Sequence, residues 1–166
     1  MATCTQIRRA GTYDADKDRI KGSVTLPADQ RHVRRKRLML DDGAPVMLDL
    51  AQSIMLAHGD ALVLDDGGLV VVEAAAEELM QVRPGAGTSV AQLAWHIGNR
   101  HLPAQVEESR ILLQRDHVIE HMLEGLGALV SEVVEPFLPL HGAYHSHGHD
   151  PDHEHAHSHD HSHQHG

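Results

Sequence analysis

The sequence predicts an α+β protein with a small all-β domain, a ferredoxin-like βαββαβ domain and a disordered histidine-rich tail. Asp-Gly turns separate short apolar runs in the first half of the chain, which is typical of β-hairpins. The second half contains two capped amphipathic segments among apolar runs, and histidine dominates the end of the chain. We therefore expect domains at residues 1–75 and 76–140, followed by a tail at 141–166.

The composition is sufficient for one ordinary domain or two small ones. The chain has 166 residues, of which 41% are apolar but only 2% aromatic, so its core must consist of aliphatic side chains. No run approaches the roughly 20 apolar residues that a membrane helix needs, and no secretory signal is visible. We therefore expect a cytoplasmic protein that does not use a membrane. The formal net charge of -10 argues against nucleic acid as a partner.

Two hairpins are predicted in the first domain. Residues 33–40 and 45–50 flank the turn Asp41-Asp42-Gly43, and residues 61–64 and 69–73 flank a second turn at 65–68. The basic run at 31–37 fits the solvated face of a strand better than a phosphate-binding patch. Cys4 is the only cysteine and lies near an N-terminus that is expected to be mobile. We interpret it as an incidental thiol rather than a metal ligand.

The second domain is predicted to alternate strands and helices. Strands are expected at 78–83, 105–108, 110–114 and 128–135. Thr88 or Ser89 can cap a first helix, and Asp116 can cap a second helix that Gly125 or Gly127 stops. The resulting order βαββαβ is that of a ferredoxin-like sandwich, with two helices on one face of an antiparallel sheet.

Histidine is the most unusual feature of the composition, because the chain contains 17. A neutral imidazole nitrogen binds Ni²⁺, Cu²⁺ and Zn²⁺ near neutral pH and selects poorly among them. The tail is too polar to form a core, so we expect it to be disordered and to wrap metal ions. An expression tag and a pH-sensing or solubilising tail are the alternatives. The predicted tail ligands are His141, His145, His147, His149, His153, His155, His157, His159, His161, His163 and His165.

A second histidine signal follows the first predicted helix, at His96 and His101. Five residues correspond to about 140° around a helix, so these two side chains should not chelate one ion unless the helix unwinds at Gly98-Asn99. One histidine alone gives a weak site, and the spacing by itself also fits surface residues at a helix end. Two copies brought together at a two-fold axis would give a site that binds an ion and releases it.

The motif Gly98-Asn99-Arg100-His101 after an amphipathic helix, with the histidine-rich tail, resembles the UreE family of urease accessory proteins. Thr25-Leu26-Pro27 and the basic strand that ends at Leu40-Asp41-Asp42-Gly43 extend the resemblance over residues 20–166. The resemblance implies a homodimeric nickel metallochaperone with a peptide-binding-like β domain and a ferredoxin-like metal-binding domain. It also implies that His101 binds Ni²⁺ at the dimer interface and that the protein supplies the urease apoenzyme, assisted by an accessory GTPase.

Other histidines carry weaker signals. Some members of the family have two histidines one residue apart at the start of the second helix, where this sequence has Arg115 and His117. His117 and His121 lie four residues apart on a helix and could share an ion, although a solvated helix face is the alternative. His32 and His58 are interpreted as structural or surface residues.

The sequence carries no catalytic motif: Gly-x-Ser-x-Gly, His-Glu-x-x-His and a phosphate loop are all absent, so we do not expect an enzyme. The alternative to a chaperone is a nickel or zinc storage protein, for which the tail alone would suffice.

Overall fold

The computed structural model describes residues 1–140, and the predicted tail lies outside the described residues. A six-stranded sheet forms the N-terminal part, in the order β2-β6-β5-β1-β4-β3. The hairpins β3–β4 and β5–β6 are antiparallel, so both predicted hairpins are confirmed. The strands are β1 (Ala2–Arg8), β2 (Ile20–Leu26), β3 (His32–Met39), β4 (Pro45–Met55), β5 (Ala61–Leu64) and β6 (Leu69–Ala74).

The expectation of a mobile N-terminus is wrong, because β1 lies in the interior of the sheet. It pairs in parallel with β4 and antiparallel with β5. Cys4 is completely buried in the core of this sheet, and burial raises the pKa of its thiol. Parallel pairing joins segments that are distant in sequence, so no local turn signal marks it.

The basic run is exposed, as predicted, where it lies in β3. Arg34, Arg35 and Arg37 reach solvent from this strand, which is an edge of the sheet. Charged side chains on an edge strand discourage pairing with other chains. Arg31 is the exception, because it lies just before β3 and is only 1% exposed.

A four-stranded sheet and two helices form the second part, in the predicted order βαββαβ. The sheet order is β10-β7-β9-β8, and Leu93, Ile97, Ile119 and Leu123 of the two helices pack in one apolar core with residues of the sheet. The predicted α+β fold class is therefore confirmed. The elements are β7 (Ala76–Pro84), α1 (Val90–Asn99), β8 (Gln105–Val106), β9 (Ile111–Gln114), α2 (His117–Gly125) and β10 (Ala128–Pro136).

Both helices begin at capping side chains. The Ser89 hydroxyl accepts the backbone N–H of Gln92, and the Asp116 carboxylate accepts two N–H groups at the start of α2. Gly127 ends α2 in the left-handed region, at φ 89°. A side chain at Gly85 would clash with the carbonyl oxygen of Gly127, so this close approach of the backbone requires glycine. The strand β8 is shorter than predicted, because the chain turns at Glu107, whose N–H donates to the Arg110 oxygen.

Contacts between the two parts involve the face of the second sheet opposite its helices. Ala28, Leu79, Leu112 and Phe137 form a buried apolar cluster there. The N–H of Ala28 donates to a Glu77 carboxylate oxygen at 3.0 Å. The buried Arg31 guanidinium donates to the carbonyl oxygen of Phe137, and burial lowers its pKa. No helix within residues 1–140 is long and apolar enough to cross a bilayer.

Candidate metal site

The helix α1 positions the first pair of candidate histidines. Leu93 and Ile97 are each 1% exposed and attach one face of the helix to the core. The opposite face carries Trp95, which is 65% exposed. An exposed aromatic side chain offers a large apolar surface that contact with a partner can bury. Trp95 is not among the site residues predicted from the sequence, although its position opposite the apolar stripe of α1 indicates an exposed side chain.

His101 follows the end of α1 and is exposed to solvent. Its backbone has φ 57°, and it is the only residue other than glycine with a positive φ in the described part of the chain. Its N–H donates to the Gly98 carbonyl oxygen at 3.0 Å, which closes the helix. A non-glycine residue in this region is strained, and such residues concentrate at functional sites.

His96 lies within α1, half-buried, with its ring edge-on to Trp95. The two ring centroids are 5.1 Å apart and the planes form an angle of 87°. Gly98 and Asn99 both remain helical, so the unwinding that joint chelation by His96 and His101 would need is not observed.

The second candidate pair lies on α2. His117 and His121 are both exposed and one turn apart, and His117 Nδ1 is 3.9 Å from a Glu120 carboxylate oxygen. Arg115 does not offer a ligand beside them. Its guanidinium donates to the carbonyl oxygens of Leu79 and Val133, which ties the start of α2 to the sheet.

The remaining histidines of the described part have other surroundings. His58 Nδ1 accepts the N–H of Ala74 at 3.1 Å, which fits a structural role, and His32 is exposed on the edge strand. Within residues 1–140, no three His, Cys, Asp or Glu side chains converge on one point that could hold a metal ion. The 11 predicted tail ligands lie outside the described residues.

Single exposed imidazoles can bind a transition-metal ion and exchange it, because no set of four ligands encloses it. A metal carrier needs such exchange. The comparison with known proteins gives the family to which the chain belongs. The model of the UreE urease accessory protein N-terminal domain matches residues 5–75, and that of the C-terminal domain matches residues 77–165.

Curated relatives agree with the domain matches. The urease accessory protein UreE of Agrobacterium fabrum is 52% identical over 147 residues, which are 89% of each chain. The UreE protein of Rhizobium meliloti is 60% identical over 124 residues, 75% of this chain and 80% of that one. The chain therefore belongs to the UreE family of urease accessory proteins. As a member of this non-catalytic family it is a nickel chaperone of urease maturation, which confirms the family resemblance of the sequence.

Proposed function

We propose that His101 is the residue from which Ni²⁺ leaves the protein, and that it acts as a pair across a two-fold axis in a homodimer. The observation that supports this most strongly is its strained backbone at an exposed helix end. Strain at a position that glycine would occupy more easily indicates that the side chain is needed. The imidazole is a suitable donor for Ni²⁺.

The exposed face of α1 fits the dimer axis. Trp95 is flanked one turn away on either side by the small residues Ala91 and Gly98, all three exposed. A two-fold axis brings the same surface of each copy together, so the aromatic ring of one copy can pack over the small residues of the other. In this arrangement the two copies of His101 face one ion.

The histidine-rich tail acts as the feeder of this site. Its 26 residues extend at most about 3.3–3.6 Å each, which is ample for the tail to return to the body of the protein. A tethered segment presents its ligands at an effective concentration on the order of millimolar.

His96, His117 and His121 serve as additional surface ligands, and Zn²⁺ or Cu²⁺ bind the same imidazoles. We place the domain boundaries after residue 75 and after residue 140.

The partners are the urease apoenzyme and the accessory proteins of urease maturation, including the accessory GTPase. A net charge of -10 is unfavourable for nucleic acid or an anionic membrane surface. We place this activity in the cytoplasm.

The test measures urease activity in cells that carry each variant over a range of nickel supply. The His101→Ala variant should activate urease poorly at every nickel level, because a full tail cannot replace the transfer ligand. Truncation after Leu140 should matter only when nickel is scarce. His32→Ala is the matched control, because His32 is also an exposed histidine but lies on β3, an edge strand of the other sheet.

Two results would contradict the proposal. If His101→Ala activates urease like the unchanged protein, the transfer ligand lies elsewhere, and a storage role for the tail becomes the better explanation. If loss of the tail is as harmful as loss of His101 in excess nickel, the tail itself is the donor.

A further inference from the structure

The last described residues, 137–140, form a segment that we call the strap. It leaves β10 and returns to the loop that follows His101. The N–H of Leu140 donates to the Ala104 oxygen at 2.8 Å, and the N–H of Ala104 donates to the Leu140 oxygen at 3.3 Å. This pair of hydrogen bonds is an isolated antiparallel bridge outside the two sheets. The strap is therefore attached three residues after His101.

Gln105 provides a second attachment beside this bridge. Its side-chain oxygen accepts the N–H of Leu138 at 2.9 Å. Its side-chain nitrogen donates to a Glu107 carboxylate oxygen at 3.1 Å, and the same oxygen accepts from Arg110 Nε at 3.0 Å. Because the amide nitrogen is engaged by Glu107, the amide oxygen is turned towards the strap.

The other end of the strap is fixed in the contact between the two domains. Phe137 is completely buried, and its carbonyl oxygen accepts from the Arg31 guanidinium. The strap therefore runs from a buried anchor to the loop after His101, and it is hydrogen-bonded at both ends. The segment between α1 and β9 contains little other regular structure, because its one strand, β8, has only two residues.

We infer that the strap is a positioning element for His101 and that Gln105 is the positioning residue that holds it there. A strained residue keeps its conformation only when the surrounding structure determines it, and the bridge at Ala104 restrains the loop that leaves His101. This inference rests on the proposed role of His101.

The experiment uses the full chain and follows the fluorescence of Trp95 during titration with Ni²⁺. Trp95 is the only tryptophan and lies in the helix that ends beside His101, so quenching by the paramagnetic ion reports on binding near that residue. The His101→Ala variant measures the quenching that comes from the tail and from the other surface histidines, and this contribution is subtracted. Gln105→Ala should raise the Ni²⁺ concentration at half-saturation of the remaining signal about 3- to 10-fold, which corresponds to one lost hydrogen bond.

A double exchange provides the matched control. In Q105E/E107Q the carboxylate at position 105 can still accept from the Leu138 N–H. The donor and acceptor between positions 105 and 107 are reversed, and Arg110 loses its ion pair with position 107 but keeps the one with Glu135. This variant should keep the half-saturation point within about 2-fold of the unchanged protein, since the hydrogen bond to the strap is retained. Thermal unfolding followed by circular dichroism checks that each variant is folded.

Failure of this inference is distinguishable from failure of the proposed function. If Gln105→Ala titrates like the unchanged protein while His101→Ala loses the signal, the strap does not position His101, and the proposed transfer ligand stands. If the double exchange is folded but titrates like Gln105→Ala, the hydrogen bond to the strap is not the cause, and the inference is overturned. If His101→Ala retains the full signal, both the ligand and its positioning are wrong.

Discussion

Replacement of His101 by glycine should make the metal-free protein more stable than replacement by alanine. The backbone at this position has φ 57°, where an L-residue other than glycine is strained by about 1–2 kcal/mol. Glycine avoids this strain but loses about 0.5–1 kcal/mol more conformational entropy on folding. The difference predicts that His101→Gly is more stable than His101→Ala by roughly 0.5–1 kcal/mol.

A control of opposite sign is available within the same helix. Gly98 lies in α1 in ordinary helical conformation, and a side-chain carbon there would meet no atom within 4 Å. At a protein concentration low enough for the proposed dimer to dissociate, Gly98→Ala should therefore stabilise the protein by about 0.5 kcal/mol or more, because alanine is the better helix former. Glycine should thus be more stabilising than alanine at position 101, and alanine more stabilising than glycine at position 98.

The assay is urea unfolding of metal-free protein at equilibrium, followed by circular dichroism. For a chain of this size, a change of 1 kcal/mol shifts the thermal midpoint by about 2–4 °C, so a thermal melt gives an independent check. If His101→Ala equals or exceeds His101→Gly in stability, the left-handed backbone imposes no cost and the strain argument fails. If the prediction holds, histidine at this position lowers stability in favour of its function.

Two further predictions concern buried groups of the N-terminal sheet. Asp60 is 1% exposed and accepts from Arg9 and from the N–H groups of Ala10 and Ala57. Asp60→Ala should therefore lower the free energy of unfolding, measured in urea, by about 2–4 kcal/mol, because buried donors lose their acceptor. A loss below about 1 kcal/mol would contradict this. Cys4 is fully buried, and burial raises the pKa of its thiol. Iodoacetamide at pH 7.5 should therefore modify Cys4 rapidly only in urea, which mass spectrometry can follow. Rapid modification of the native protein would show that β1 opens readily.

Local features of the sequence were sufficient for the helices and for the hairpins. Ser89 and Asp116 cap α1 and α2 because a side-chain oxygen can reach backbone N–H groups only a few residues away. The Asp-Gly turns identified both hairpins for the same reason, since the pairing partners adjoin the turn. The order of these elements then predicted the ferredoxin-like fold, and the motif that ends at His101 identified the family.

Other features depended on contacts between residues far apart in the sequence. β1 became an interior strand through its parallel pairing with β4. The buried Arg31 donates to the carbonyl oxygen of Phe137, which lies 106 residues later. The strain at His101 and the bridge between Ala104 and Leu140 likewise follow from the path of the assembled chain. The sequence by itself thus determined which elements form and which residue types can bind nickel, because capping, turn formation and ligand chemistry are local. Only the tertiary structure decided which segments become neighbours, because long-range pairing depends on the burial of the whole core and leaves little local signal.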